Sequence, residues 1–280
     1  MSYRSKFVVE PGKRVRLDDV DPGWTGKHVN EDDARAAIGR DVERLEKLQY
    51  RLYAENRRSL LIVLQAPDAG GKDGTVRHVF RAFNPQGASV HGFKVPTAEE
   101  AAHDFLWRVH AVAPARGRIA IFNRSHYEDV LVPRVHATLP KETLEKRYDR
   151  INEFEKNLVQ AGTHIVKFFL HISEAEQLKR LEARLEDPQR RWKLNPEDFA
   201  EHRRWDDYRR AYDRMLKRTS THRAPWFVIP ANHKWFRNLA VARIVLETLD
   251  DLGMDFPKPA VDVDELRRSY YIAAQDARRR

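Results

Sequence analysis

Five short apolar runs recur along the chain: "SLLIVLQ" (59–65), "ASVHGF" (88–93), "RIAIF" (118–122), "HIVKFFLHI" (164–172) and "PWFVIP" (225–230). Runs of this length without strict alternation are the mark of strands buried on both faces, as in parallel sheets. Between them lie segments with apolar residues at helical spacing. The first, from about 32 to 56, sets Ile38, Val42, Leu45, Leu48 and Leu52 on one face. Others span 74–83, 97–112, 141–160 and 174–186, and the last two cover about 234–252 and 263–278. Strands alternating with helices predict a parallel five-stranded sheet flanked by helices. Residues 1–30, rich in Pro, Gly and charge, read as an extended arm.

The alternation breaks once, between the fourth and fifth runs. Residues 184–223 form a long charged helical insertion in which Pro188 and Pro196 should break or start helices. The expected organisation is a single domain over 1–280. It comprises an arm and helix (1–56), a core (57–183 and 224–255), a helical lid (184–223) and a C-terminal helix (256–280).

Charge sharpens this picture. The chain has 51 Lys/Arg against 42 Asp/Glu, a net charge of +9. Residues 179–223 alone hold 14 basic against 9 acidic side chains, so more than half of the excess is focused on the insertion. A focused basic patch implies an anionic partner. The 280-residue length and 41% apolar content are those of a globular protein, not a disordered one. The absence of cysteine excludes disulfides and thiolate metal sites and agrees with a reducing cytoplasm. No apolar stretch approaches a membrane span, and the N-terminus lacks the apolar run of a signal peptide. A soluble cytoplasmic protein is expected.

The first apolar run leads into "LQAPDAGGKDGT" (64–75). A loop that leaves a strand and opens a helix aims backbone N–H groups and a helix dipole at an anion. Ala69, Gly70, Gly71, Lys72 and Asp73 form this loop; the glycines admit phosphate oxygens, and Lys72 can reach across them. A plain glycine-rich turn would need no ligand, but its place after a buried strand favours a phosphate site. Two positions are unusual. Ala66 stands where such loops begin with Gly, and Asp73 stands where Ser or Thr usually holds magnesium. Asp68 would repel a cradled phosphate unless a cation intervenes, which makes it a candidate Mg²⁺ ligand. Asp73 reads most simply as an acid stabilised by the helix N-terminus.

The third run ends in "IFNRSHYEDVLVPR" (121–134). Its end should face the loop, presenting Asn123 and Arg124, with Glu128 and Asp129 a turn later. An Arg beside a transferring phosphoryl group stabilises its charge. His126 reads as a packing or hydrogen-bonding residue, and no pair of His has zinc-binding neighbours.

Together with "NPQG" (84–87), "EDPQRRWK" (186–193) and "APWFVIPANHKW" (224–235), these blocks resemble the polyphosphate kinase 2 family, most closely the branch acting on both AMP and ADP. The resemblance spans about residues 3–255 with every block in order. It implies an α/β phosphate-loop kinase fold of the thymidylate-kinase type with a helical lid. It also implies transfer of a terminal phosphoryl group from inorganic polyphosphate to AMP and ADP, giving ADP and ATP, with Mg²⁺ as cofactor and Mn²⁺ as a substitute. By resemblance Asp68 binds the metal, and Asp68, Lys72, Asn123, Arg124 and Arg184 carry the chemistry. Arg124, Glu128, Asp129 and Arg134 would hold the nucleotide. Lys72, Arg180, Arg184, Arg190, Arg191, Lys193, Arg203 and Arg204 would hold the polyphosphate. The implied assembly is a homodimer or homotetramer, with neither nucleic acid nor membrane as partner. Ala66 and Pro67, and Asn232 where an Asp is expected, depart from the family pattern.

An ATP-dependent nucleoside monophosphate kinase of the thymidylate kinase type would share fold and lid, but would normally keep Gly at 66 and Ser or Thr at 73. A nucleic-acid-binding module would explain the charge but not Asp68 within the loop, and no nucleic-acid fingerprint is present.

Overall fold

In a computed structural model, which describes residues 2–28 and 30–279, the apolar runs form one five-stranded sheet. The strands are β1 (Ser59–Gln65), β2 (Ala88–Gly92), β3 (Ile119–Asn123), β4 (Thr163–His171) and β5 (Trp226–Pro230), in spatial order β2-β3-β1-β4-β5 and all parallel. Because β1 pairs with β3 on one side and β4 on the other, chain order reverses at its C-terminal end. That crevice is where open α/β sheets bind ligands.

The helices are α1 (Tyr3–Phe7), α2 (Glu31–Glu55), α3 (Lys72–Val79), α4 (Ala98–Ala102), α5 (Trp107–His110), α6 (Glu128–Val135), α7 (Lys141–Gln160), α8 (Glu174–Glu186), α9 (Pro196–His202), α10 (Trp205–Thr219), α11 (Lys234–Asp250) and α12 (Val263–Arg279). Alternate residues of β1 face opposite layers. Leu60, Ile62 and Leu64 pack in a core with α2, α3 and α11, while Leu61 and Val63 pack in a second core with α6, α7 and α10. None of the described helices is long and apolar enough to cross a membrane.

Local chemistry explains the boundaries. Asn30 and Asp33 form a reciprocal capping box at the start of α2, and Asn195 with Pro196 opens α9 inside the lid. The helix expected over 97–112 is split, because the Asp104 carboxylate takes the Leu106 N–H at 2.9 Å and His103 is extended. The α6 helix has no strong sequence signal, since Pro133 lies inside it. Proline removes one N–H and so frees the Asp129 carbonyl, which Arg147 Nη1 satisfies at 2.7 Å.

The N-terminal segment is less extended than expected. It forms α1 and a 3-10 turn (Leu17–Asp19), and it straps the edge of β5 through a Val8–Phe227 bridge and a Val9 N–H to Trp226 O bond of 2.8 Å. Covering an edge in this way blocks further strand addition.

One buried polar network ties the lid to the core. Lys167 of β4, fully buried, donates to Glu155 Oε2 (2.6 Å), Tyr127 Oη (2.8 Å) and the Thr219 carbonyl at the end of α10 (2.7 Å). Glu155 Oε1 accepts from Tyr127 (2.7 Å), and His126 lies 3.4 Å away, fully buried as a hydrogen-bonding residue. Removing one partner of such a pair leaves an uncompensated buried charge. Lys167→Met should therefore destabilise the fold by about 3–5 kcal/mol, and Lys167→Met with Glu155→Leu should recover most of that loss. Chemical denaturation of the two variants checks this; equal losses in both would contradict it.

Candidate active site

The loop after β1 is shaped by two left-handed residues, Ala69 (φ 59°) and Gly71 (φ 104°), which turn the chain so that α3 begins at once. A side chain on Gly70 would start 2.8 Å from the Pro67 carbonyl oxygen, and Gly71 needs its positive φ. Lys72 Nζ folds over the loop, donating to Ala66 O (2.9 Å) and weakly to Pro67 O (3.4 Å). Burial pulls its pKa down, and Asp68 counteracts this.

The end of β3 forms the facing wall. Arg124, itself left-handed (φ 62°), donates to Asp68 Oδ1 at 2.9 Å. Asp68 Oδ2 has no hydrogen-bond partner among the described residues. Asn123 Nδ2 donates to Asp73 Oδ1 at 2.8 Å, and Lys193 of the lid reaches Asp73 Oδ2 at 3.0 Å. Asp73 is thus more than a helix-terminal acid: it latches the lid to the loop, and these two partners outweigh burial to keep its pKa low. Glu128 opens α6 beside the group; burial raises its pKa, while Arg124 and Lys72 oppose the rise. Asp68, Lys72, Arg124 and Glu128 therefore form an alternating cluster of two acids and two bases at the crevice.

The lid closes over this cluster. Arg184 of α8 pairs with Asp198 of α9 at 3.2 Å, and Asp198 feels the charges of both Asp68 and Arg124. Burial holds the hydroxyls of Tyr208 and Tyr212 of α10 protonated, helped at Tyr208 first by Glu201, to which it donates at 2.7 Å, and at both by the charges of Glu128 and Asp68. Arg190 pairs with Asp187 at 2.8 Å, and Arg191 Nε donates to Leu185 O at 2.8 Å. Arg203 and Arg204, exposed at the α9–α10 turn, make no ion pair among the described residues.

Not every expected residue joins the cluster. Asp129 turns to Arg108 (3.4 Å) and Arg147, while Arg134 turns to Glu145 (2.8 Å) on α7. Arg180 is buried, and its donors go to Glu176, Ala69 O, Gly70 O, Ala231 O and Asn232 O. In this conformation it braces the loop rather than facing the cleft. Asn232 accepts from the Ser173 N–H at 3.0 Å, an architectural part that an amide fills well. Sequence reasoning missed Gln177, which donates to Asp68 O (2.9 Å) and is held by His202 (2.7 Å). It also missed Gln65, whose amide fixes Ser125 (3.2 Å), and the tyrosines of α10. Only the last had a signal: Tyr208, Ala211, Tyr212 and Met215 form one inward stripe.

No group of three or more His, Asp or Glu among the described residues could enclose a metal ion. The unengaged Asp68 Oδ2 suits instead a divalent cation held by one carboxylate, waters and substrate phosphates, the usual habit of Mg²⁺.

Similarity places this geometry in context. The chain is 50% identical over 259 residues to an AMP/ADP-polyphosphate phosphotransferase of Meiothermus ruber, covering 91% of this chain and 96% of that one. An ADP-polyphosphate phosphotransferase of Rhodopseudomonas palustris is 43% identical over 276 residues, covering 92% and 94%. The crystal structure of polyphosphate kinase 2 from Arthrobacter aurescens superimposes with a TM-score of 0.93 at 43% identity, covering 97% of each chain. The model of the family described as polyphosphate kinase 2 matches residues 28–257, which include the loop, the β3 end and the whole lid. By this match and by the residues it contains, the chain belongs to the polyphosphate kinase 2 family.

Proposed function

We propose that the protein moves the terminal phosphoryl group of inorganic polyphosphate to AMP and to ADP, giving ADP and ATP, reversibly and with Mg²⁺, for which Mn²⁺ can substitute. The observation that carries this reading is the acid-bearing loop, with Asp68 paired to Arg124, beneath a lid with an excess of cations. The 50% identity to an enzyme named for both AMP and ADP supports dual acceptor use. An ATP-dependent monophosphate kinase is not favoured, because Asp73, where such loops carry a hydroxyl, is tied to Asn123 and Lys193.

In this reading an acceptor phosphate oxygen attacks the terminal phosphorus, and the bond to the next phosphate oxygen breaks. The donor leaves one unit shorter, its new terminal oxygen anionic. The attacking oxygen is already anionic, so no base is needed and catalysis rests on positioning and charge. Lys72 and Arg124 neutralise charge on the transferring group, and Arg184 can join them by leaving Asp198. Arg190, Arg191, Lys193, Arg203 and Arg204 line the path of the chain. A bound Mg²⁺, taken at Asp68, would shield phosphate charge between donor and acceptor. Glu128, beside Arg124 and Lys72, would help hold the nucleotide. We also propose a cytoplasmic homodimer or homotetramer; the large apolar side chains of α12, among them Leu266, Tyr270 and Ile272, face solvent and suit a further contact.

Purified protein given Mg²⁺, AMP and long-chain polyphosphate without ATP should form ADP and then ATP, resolved by chromatography. Failure to use either nucleotide would overturn the reading. In the same assay Lys72→Ala should remain folded and lose about 10²–10³ in turnover, the usual cost of a lost electrostatic contact to a transferring group. Retention of more than half the activity would exclude Lys72 from that role. Neutralising Arg190, Arg191 and Lys193 together should raise the KM for polyphosphate more than that for AMP. It should also flatten the salt dependence of polyphosphate binding, since fewer counterions are displaced. Equal effects on both substrates would assign the chain path elsewhere.

A further inference from the structure

Arg237, in the first turn of α11, is 2% exposed and has no carboxylate within ion-pair distance among the described residues. Its Nε and Nη2 donate to the neighbouring Asn238 Oδ1 at 3.2 and 2.8 Å. Its Nη1 stands where a Gly71 side chain would begin, and Nη2 lies 3.0 Å from the side-chain position of Gly74. The guanidinium thus fills the hollow left by two glycines, one ending the phosphate loop and one in the first turn of α3. Arg180 Nη1 lies 3.6 Å from the same Gly71 position, so two cations share this space, and Glu176 is engaged by Arg180.

Surrounding groups add positive charge. Lys234 feels Arg180, Arg190 and Arg237, and His78 feels Arg237, Arg77 and Arg81; burial first, then these neighbours, lower both pKa values. Burial and Arg180 push Arg237 itself down to about 9, which leaves it charged at neutral pH. A buried charge without a partner costs more than a packed apolar side chain of similar volume. Such a cost persists where function uses it. The missing partner is an anion, and the loop against which Arg237 packs is built to hold one.

We propose that Arg237 is a positioning residue for the phosphate loop: it fixes the loop by occupying the hollow of Gly71 and Gly74, and it lends unneutralised positive charge from inside the protein to a phosphate seated there. This rests on the loop being the phosphate seat. It also gives a second reason for glycine at 71, where a side chain would displace the guanidinium, and a first one at 74, where a side chain would crowd it.

The test is equilibrium binding of inorganic tripolyphosphate to the full chain, without nucleotide, by titration calorimetry at neutral pH. Wild type is compared with Arg237→Met, Arg237→Gln and Arg237→Lys, with folding followed by circular dichroism. The neutral variants are expected to fold and bind at least about tenfold more weakly, and the lysine variant to stay within about threefold of wild type. Neutral variants that fold and bind within about twofold of wild type would reduce Arg237 to packing and overturn the proposal. So would a lysine variant that folds yet binds as weakly as the neutral ones, because charge would then not be what the loop draws upon. If methionine does not fold, the glutamine variant decides by the same criterion; if neither folds, the charge serves the fold and the proposal fails. A wild type that does not bind tripolyphosphate refutes the loop as the phosphate seat, a separate failure from that of Arg237.

Discussion

All five N–H groups of the Arg180 guanidinium are used. They bind Glu176 on its own helix, two carbonyls of the phosphate loop, and two carbonyls just beyond β5. One side chain thereby joins three segments that are far apart in sequence. A phosphate loop must keep its N–H groups pointing outward, so its carbonyls turn inward, where they lack water. Each needs a donor, and an unmet buried carbonyl costs about 1–3 kcal/mol. Arg180 supplies those donors together with a positive charge, while the neutral amide of Gln177 donates to the Asp68 carbonyl. The strand order does the rest by opening the crevice at the end of β1, where the loop sits.

Charge in the crevice follows from this brace. Acids within a phosphate site would be self-defeating if left unpaired. Here Asp68 is held by Arg124 and Asp73 by Asn123 and Lys193, both across gaps that a substrate would have to enter. Binding can therefore exchange internal partners for phosphate oxygens. On the proposed function, Arg124 and Lys193 would then turn to the donor and acceptor, and Asp68 would be free for a cation. The lid is part of the same exchange, since Lys193 and the Arg184–Asp198 pair belong to it. Its anchor is separate: the Lys167–Glu155–Tyr127 network holds the end of α10 to the sheet.

The sheet was legible in the sequence because parallel strands buried on both faces must be continuous apolar runs. The long helices were legible because their inward stripes repeat every three to four residues. Residues of the loop and of the β3 end were legible because a strand-to-helix junction fixes their direction. What could not be read depended on partners distant in the chain. α6 tolerates Pro133 only because Arg147 takes the freed carbonyl, and nothing near Pro133 announces that. Asp129 and Arg134 have the right chemistry for a nucleotide, yet helical rotation turns them toward Arg108 and Glu145. Arg180 is expected by resemblance to hold polyphosphate and Arg237 belongs to no motif, yet burial makes both the inner support of the loop. The segment before α2 reads as an extended arm because its order comes from the β5 edge it covers.

Internal arginines preform the loop on which, in the proposed function, both substrates meet. Steady-state kinetics of Arg180→Lys, with polyphosphate and AMP varied in turn, test it most directly. Lysine keeps the charge but cannot span four carbonyls, and small misplacements of reacting groups cost on the order of 10² in rate. The variant should remain folded, with kcat lower by about that factor and the two KM values shifted by similar factors. An unchanged kcat with a raised KM for polyphosphate alone would mean that Arg180 grips the donor chain instead, and would contradict it.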